Sequence, residues 1–291
     1  MELGIACASG SYKGVFVHGV LDSFEEAGLR ADVYAAASSS TACAAYAAAG
    51  HVRQLEGPAY WHRSWAAYVA AGYDVSTAVL AGIREVLPWI RDLLFEPGSA
   101  RLAVAVSEVI RKEAAEITQG PGARRLGQQL VLATRTHDAS WAAENLAFAL
   151  FDTRASDPRR LLGPGNLAEV AYATTRMLHA WKTPAWIAGV PFVDASYTCS
   201  CPAAALAEMG CRQVVAVTPE SGPVFTNFFQ SARLPESHRG VPIRVIQPDH
   251  NLSEIGVDYL KATEEGLAAA YGEGRRAGEA FWAGYARVTP G

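Results

Sequence analysis

The sequence predicts one three-layer α/β/α domain, in which helices lie on both faces of a mostly parallel central sheet. Two strand-to-helix units follow one another within residues 3–50, and strands that are connected through helices pair in parallel. Half of the residues, 50%, are apolar, which is enough for a substantial core in a chain of 291 residues. No repeat or low-complexity linker divides the chain, so we expect residues 1–291 to form a single domain.

Apolar runs and turn residues place the first two units. The segment LGIACAS (3–9) is predicted to be a short buried strand, and GVFVHGVLDSFEEAG (14–28) a helix. The segment DVYAAA (32–37) is predicted to be the second strand, followed by a helix over STACAAYAAAG (40–50). The carboxyl ends of parallel strands lie at one edge of the sheet, so both strand-to-helix turns are expected at that edge. Ligands of such sheets bind there.

The middle of the chain, residues 51–127, is predicted to be mostly helical, because its apolar residues form helical faces opposite charged residues. We expect ordinary packing for this segment, with a cap over a ligand site or a membrane-interface helix as the alternatives. Strands are predicted to resume at QQLVLATRT (128–136) and ENLAFALFD (144–152), and these two runs could pair as neighbours.

The last part of the chain alternates helix and strand patterns. In chain order, the predictions are a helix over 166–181, a proline-containing apolar passage over 189–196, a helix over 202–210, strands over 212–219 and 241–249, and a helix over 257–286. This alternation again favours a sheet covered by helices.

Charge and cysteine usage exclude several classes of function. The formal net charge is −4 and the basic residues are scattered, so we expect no nucleic-acid partner. No signal-peptide pattern and no uncharged stretch of the ~18–20 residues needed for a membrane span are seen, so a cytoplasmic location is expected. The five cysteines form no pair of CxxC motifs, which indicates buried or free thiols instead of a disulfide framework or a zinc site.

Three adjacent serines, Ser38, Ser39 and Ser40, stand where the second predicted strand passes into its helix. A serine in such a turn lies at a helix N-terminus, where free N–H groups and the helix dipole favour a developing alkoxide. Ser38 is the central candidate nucleophile, and Ser39 is the alternative if the frame moves by one residue. The glycines of the usual G-x-S-x-G motif are absent, so the serines could equally be helix N-caps.

A loop of small residues joins the first predicted strand to its helix. Its backbone N–H groups, chiefly those of Gly10 and Ser11, could form an oxyanion hole, and the alternatives are a tight βα turn or a phosphate site. A phosphate loop of the G-x-x-x-x-G-K-[ST] type is excluded, because Lys13 is followed by Gly14. Lys13 either fixes this loop or meets an anionic headgroup, or it is a solvated lysine at the start of the helix.

Three segments in this order resemble the patatin-like phospholipases, a family of lipid acyl hydrolases with a Ser-Asp dyad. The family's G-G-G-x-[RK]-G loop corresponds to Ser9–Gly14, its G-x-S-x-G elbow to Ala36–Ser40, and its D-G-[GA] motif to Asp194–Ser196. The resemblance covers roughly residues 3–218. The order and spacing of the three segments carry it, since each segment alone is a weak signal.

The resemblance implies a patatin-like fold and a mechanism without a catalytic histidine. Asp194 would accept the proton of Ser38 as this serine attacks an acyl ester, and the N–H groups of Gly10 and Ser11 would hold the oxyanion. The implied substrate is a lipid or lipid-like ester, met in transient contact with a membrane surface, and no metal or organic cofactor is implied. The expected supporting residues are Lys13, Gly14 and Ser39.

The sequence departs from the family pattern at four positions that usually hold glycine, which are Ser11, Ala36, Ser40 and Ala195. The donors of the loop survive unless φ is positive at Ser11, where a non-glycine residue costs on the order of 1–2 kcal/mol. Because Ser38 and Asp194 are both retained, we expect an active hydrolase. The alternatives are an acyltransferase that uses the same dyad and a lipid-binding homologue with weak or no turnover.

A histidine-dependent enzyme is the other alternative. Ser38, Asp194 and His250 follow the chain order of the α/β-hydrolase triad, and His238 lies in the same region. That fold, however, usually places its nucleophile after more strands than two. His18 is expected to pack against its own helix, and Cys7 and Cys43 are expected to be small core residues.

Overall fold

The computed structural model describes residues 1–285 and is built on a nine-stranded mixed sheet. The strands are β1 Leu3–Cys7, β2 Val33–Ala37, β3 Arg101–Val109, β4 Leu146–Asp152, β5 Trp186–Ile187, β6 Val190–Val193, β7 Gln213–Val217, β8 Ser237–His238 and β9 Val241–Ile246. Their order in the sheet is β5-β6-β3-β2-β1-β7-β9-β8, and β4 also pairs with β3. The five central strands from β3 to β9 are parallel, and the outer pairs are antiparallel.

Helices connect the strands and pack against the sheet. They are α1 Gly14–Glu26, α2 Thr41–Ala49, α3 Pro58–Ala70, α4 Val75–Leu94, α5 Lys112–Thr118, α6 Ala123–Ala133, α7 Ser140–Asn145, α8 Leu167–Ala173, α9 Ala203–Glu208 and α10 Glu264–Tyr285. Short 3₁₀ turns at 11–13 and 38–40 precede α1 and α2. Within residues 1–285, no helix combines the length and apolar character that crossing a membrane requires.

Both faces of the central strands are buried. Ile5 and Cys7 of β1 belong to the same apolar cluster as side chains of α1, α2 and α10, whereas Ala6 between them belongs to a second cluster with α9. Successive side chains of a strand point to opposite faces, so these two clusters lie on the two sides of the sheet. The α/β class and the mostly parallel centre of the sheet are therefore confirmed.

The predicted helical segment 51–127 contains a strand that was not expected. Residues Arg101–Val109 form β3, the longest strand, which pairs with β2, β4 and β6. Its sequence, RLAVAVSEV, is nearly continuously apolar because the strand is buried on both faces. Without an alternating pattern, a buried strand of this kind cannot be distinguished from a helix by periodicity.

The predicted strand over 128–136 is wrong, because α6 extends to Ala133. Leu126 and Leu130, which are four residues apart, bury the inner face of this helix, while Leu132 is 56% exposed. The apolar run was therefore one helical face together with exposed neighbours. The predicted strand over 144–152 is confirmed as β4, but its partner is β3 in the antiparallel direction.

Two predicted helices are shorter in the structure. Helix α8 ends at Ala173, where the β-branched pair Thr174 and Thr175 begins a turn and not the continuous helix predicted over 166–181. Helix α10 begins at Glu264, because residues 257–262 form a bridged turn. The last residue of the helix predicted over 257–286 lies outside the described residues.

Candidate active site

Strand β3 brings two strand ends together. Strand β4 pairs along one edge of β3, so β2 and β6 must both lie along the other edge. Because β2 runs parallel to β3 and β6 runs antiparallel, the two strands approach each other head to head. Their last paired residues are Ala37 opposite Ala105 and Val193 opposite Ser107. The residues that follow these strands, Ser38 and Asp194, are therefore placed side by side.

Ser38 and Asp194 form a hydrogen-bonded pair. The Ser38 hydroxyl donates to Asp194 Oδ2 at 2.9 Å, and the other carboxylate oxygen accepts the Ser196 N–H at 2.7 Å. Asp194 is fully buried, and Ser38 is 8% exposed. A serine with its hydroxyl directed at a buried carboxylate has the geometry of a nucleophile with its base.

The main chain at Ser38 forms a sharp turn between β2 and α2. Ser38 has a φ of +54°, in the left-handed region that residues other than glycine rarely adopt. Such strain at a strand-to-helix turn is typical of a nucleophile elbow. No serine side chain of this turn caps the helix, and the Ser40 hydroxyl instead donates to the Ala8 carbonyl at 2.6 Å. The interpretation of the three serines as N-caps is therefore wrong.

Ser39 follows Ser38 in the chain, but its side chain makes no hydrogen bond to the pair. Its hydroxyl is buried and has no hydrogen-bond partner among the described residues. The Asp194 carboxylate accepts hydrogen bonds from Ser38 and Ser196. Ser38, and not Ser39, is therefore the serine of this turn whose hydroxyl reaches the carboxylate.

Burial raises the pKa of the Asp194 carboxyl to about 6, and hydrogen bonds from Ser196 and Ser38 oppose this shift only in part. Desolvation dominates because the charged form loses its water without gaining a cationic neighbour. A carboxylate with a raised pKa is a stronger base than an exposed one. The environment of Asp194 thus favours acceptance of a proton from Ser38.

The loop before α1 borders the pair. Among the described residues, the backbone N–H groups of Gly10 and Ser11 have no hydrogen-bond partner, and both residues line the same cavity as Ser38. Ser11 has a φ of +50°, so the loop does require the left-handed region at this position. In the described part of the chain this conformation still leaves the N–H groups of Gly10 and Ser11 without a partner, so the expectation that a positive φ would remove these donors is wrong. Gly10 has no room for a side chain, because a Cβ atom there would lie 2.3 Å from Pro219 Cγ.

Lys13 and Gly14 follow this loop and connect it to neighbouring segments. Lys13 is 3% exposed, and its Nζ lies 3.0 Å from Glu220 Oε2 and 3.2 Å from Asn251 Oδ1. The interpretation of Lys13 as a solvated lysine is therefore wrong, because the side chain ties the loop to two later segments. A Cβ atom at Gly14 would lie 2.7 Å from a ring carbon of Trp61, which explains the glycine.

A cavity of about 650 Å³ opens beside Ser38 and Asp194. Helices α3 and α4 contribute apolar side chains to its wall, including Tyr60, Trp61, Tyr68, Val79, Ile83 and Leu87. The helical part of segment 51–127 thus lies along the cavity, which is the position that a cap over the site would have. An apolar wall of this size accommodates a chain of methylene groups better than a polar ligand.

Two buried hydroxyls near the pair were not singled out in the sequence. Ser107 of β3 donates to the main-chain carbonyl of Asp194 at 2.8 Å, and Thr174 accepts the Ser38 N–H at 2.8 Å. Ser107 follows directly on the apolar run 102–106, which is a usable signal once β3 is known to be a strand. Thr174 lies in a segment that predicts helix, and nothing local indicates its role.

The histidines do not complete a triad with the pair. His250 Nδ1 lies 3.7 Å from Glu273 and His238 Nε2 lies 3.1 Å from Glu208, and neither histidine hydrogen-bonds to Asp194. His18 is fully buried and accepts the Trp61 indole N–H at 3.2 Å, and burial lowers its pKa to about 4. His18 thus packs in the core, but its partners are Trp61 of α3 and Tyr271 of α10 and not its own helix.

Cys7 and Cys43 lie in the core, and the described residues form no cluster of metal ligands. Within residues 1–285, no group of three or more His, Cys, Asp or Glu side chains is placed to hold a metal ion. Cys7 and Cys43 are fully buried free thiols, and burial raises the pKa of each well above its usual range. Both are core residues, as predicted.

Comparison with known proteins gives no family assignment. No protein-family model matches this chain, and no curated protein matches it. We therefore infer the function from the geometry around Ser38 and Asp194.

Proposed function

We propose that this protein is a serine acyl hydrolase of the patatin type, which cleaves an acyl ester of a lipid or lipid-like substrate. The observation that carries the proposal is the 2.9 Å hydrogen bond from the Ser38 hydroxyl to the buried Asp194 carboxylate, made at a strained turn beside a cavity. The sheet with helices on both faces supports the three-layer arrangement that the resemblance implies.

The proposed reaction has two steps. Ser38 Oγ bonds to the ester carbonyl carbon while its proton passes to Asp194, and collapse of the intermediate breaks the ester bond as Asp194 returns the proton to the leaving alcohol. Water then attacks the acyl-enzyme, giving its proton to Asp194, and Ser38 recovers the proton as the fatty acid leaves. The free N–H groups of Gly10 and Ser11 are the proposed donors to the oxyanion in both steps.

The apolar cavity supports the substrate class. Aromatic and aliphatic side chains of α3 and α4 line it, so burying an acyl chain there is favoured by about 25 cal/mol for each Å² removed from water. Lys13, the cation next to the oxyanion loop, is already paired with Glu220. The proposal therefore places the specificity in the acyl chain more than in a charged headgroup.

The proposal is tested by mass spectrometry of the intact protein after treatment with a fluorophosphonate probe. We expect one adduct on the wild type, no adduct on Ser38→Ala, and a strongly reduced labelling rate for Asp194→Asn. Ser39→Ala is the matched control, because it removes a neighbouring hydroxyl that does not contact Asp194.

The possible results of this experiment separate the candidate functions. Retained labelling in Ser38→Ala, together with loss in Ser39→Ala, would move the nucleophile by one residue. A wild type that never reacts would contradict the proposal and favour a lipid-binding protein without turnover. Product analysis with a short-chain and a long-chain ester then tests the preference for an acyl chain.

A further inference from the structure

Thr174 is the first residue after α8, and it is fully buried between the two strand ends of the site. Its hydroxyl accepts the backbone N–H of Ser38 at 2.8 Å and donates to the carbonyl of Ala105 at 2.7 Å. Both capacities of the hydroxyl are therefore used at once.

The position of this hydroxyl follows from the end of the parallel ladder. Strands β2 and β3 pair up to Ala37 and Ala105, and the positive φ of Ser38 then turns the chain out of the ladder. The Ser38 N–H would be buried without a partner if Thr174 did not accept it. The Thr174 hydroxyl thus links the turn to β3 where direct pairing has stopped.

The same segment also holds the base. The Thr174 carbonyl accepts the N–H of Ala195 at 3.1 Å, and the Arg176 carbonyl accepts the N–H of Asp194 at 2.9 Å. Residues 174–176 therefore fix the main chain on both sides of the hydrogen bond between Ser38 and Asp194. Since its N–H is engaged by Thr174, Ser38 contributes no backbone donor to an oxyanion.

We propose that Thr174 is a positioning residue for the Ser38–Asp194 pair. Its side chain fixes the nucleophile through the Ser38 N–H, and its main chain fixes the residue next to the base. This inference rests on the proposed function, because positioning has a rate to act on only if Ser38 is the nucleophile. A valine at this position keeps the shape but can neither accept from Ser38 nor donate to Ala105.

The test compares the second-order rate of fluorophosphonate labelling in three variants. Thr174→Val should label about 10- to 100-fold more slowly than wild type, because small displacements of reacting groups carry penalties of this size. Thr174→Ser keeps the hydroxyl and should restore most of the rate. Thr118→Val is the matched control, since Thr118 is equally buried and its hydroxyl contacts neither Ser38 nor Asp194. That hydroxyl donates to the Ala115 carbonyl at 3.4 Å and accepts from the Gln119 side chain at 3.3 Å.

A second measurement follows the Ser38 amide itself. Hydrogen exchange of the peptide that contains Ser38 should be faster in Thr174→Val and near wild type in Thr174→Ser. If Thr174→Val does not fold, Thr174→Ala replaces it in the comparison with Thr174→Ser.

The results distinguish this inference from the proposed function. Equal labelling rates for the hydroxyl-lacking variant and Thr174→Ser, or for Thr174→Val and Thr118→Val, would overturn the role of Thr174 while the labelled wild type still supports the hydrolase. A wild type that does not react would overturn both. Slow labelling of Thr174→Val, with rescue by Thr174→Ser and fast exchange at Ser38, is the result that we expect.

Discussion

Ser11 shows how a residue other than glycine is held in a conformation that glycine favours. Its φ is +50°, and its hydroxyl donates to the main-chain carbonyl of Tyr259. Tyr259 in turn donates its phenol hydroxyl to Glu220 at 2.7 Å, and Glu220 pairs with Lys13. The strain at Ser11 is thus opposed by a hydrogen bond that a glycine could not make.

Two substitutions separate the strain at Ser11 from its hydrogen bond. Ser11→Ala keeps the strain and loses the hydrogen bond, so it should lower the free energy of unfolding by about 0.5–1.5 kcal/mol. Ser11→Gly loses the hydrogen bond but also removes strain of about 1–2 kcal/mol, so it should be more stable than Ser11→Ala. Urea denaturation of both variants measures the difference, and equal stability would contradict strain at this position.

The other replacements of glycine are also accommodated. The Ser40 hydroxyl donates to the Ala8 carbonyl, which connects the turn at Ser38 to the start of the loop before α1. Ala36 and Ala195 are fully buried, Ala36 in the main apolar cluster and Ala195 in a small cluster with Ala37 and Ala105. At these three positions the structure therefore has room for the side chains present.

The protonation of Asp194 should control the pH dependence of labelling. Asp194 accepts a proton only when it is ionised, and burial raises its pKa to about 6. The labelling rate constant of the wild type should therefore be level at high pH and decrease about tenfold for each pH unit below this pKa. Labelling reactions stopped at fixed times, at roughly one-unit steps between about pH 4.5 and 9, measure how the rate constant depends on pH.

A control for this profile is the fold itself. Circular dichroism at each pH shows whether the protein remains folded where the rate decreases. A midpoint near the ordinary pKa of an exposed carboxyl would mean that Asp194 is better solvated than its burial indicates, and it would contradict the assignment of a desolvated base.

At the scale of elements, α1 and α10 pack at backbone distance. A Cβ atom at Gly274 would lie 2.1 Å from the Phe16 carbonyl oxygen, and one at Gly19 would lie 2.2 Å from the Tyr271 carbonyl oxygen. The two helices therefore approach through glycines on both sides. Since α1 begins directly after the loop that contains Gly10 and Ser11, this packing also fixes the position of that loop.

Gly274→Ala should push α10 away from α1 and lower the free energy of unfolding by about 1–3 kcal/mol, as overpacking of a core usually does. Gly272→Ala is the matched control on the same helix, because its Cβ would make only an ordinary contact with Arg276 at 3.5 Å. That variant should gain up to about 1 kcal/mol from helix propensity. Thermal unfolding of the two proteins would contradict the close packing if both changed in the same direction.

Strand β3 is the element on which the site depends most. It pairs with β2 and β6 on one edge, and its Ala105 carbonyl and Ser107 hydroxyl each hold a segment of the site. A displacement of β3 would therefore separate Ser38 from Asp194. Few residues contact Ser38 and Asp194 directly. The strand that holds their segments in place is continuous and buried.

At the scale of the whole molecule, the site joins parts of the chain that are far apart in sequence. Ser38 and Asp194 are separated by 156 positions, and the loop that borders them is tied to segments near residues 220, 251 and 259. Helices α3 and α4 close one side of the cavity. Stability of the complete fold, and not of any local segment, thus determines whether the pair stays together.

The sequence by itself determined the α/β class, the first two strand-to-helix units and Ser38 as a candidate, because an apolar run followed by small polar residues is a local signal. Asp194 became a candidate through the resemblance of three segments to the patatin-like phospholipases. Only the tertiary structure decided that 101–109 is a strand, that β6 runs antiparallel toward Ser38, and that Lys13 is buried. It also revealed Thr174, whose hydrogen bonds join residues 69 and 136 positions away. These features depend on which segments meet across the sheet, and no local pattern of residues specifies such contacts.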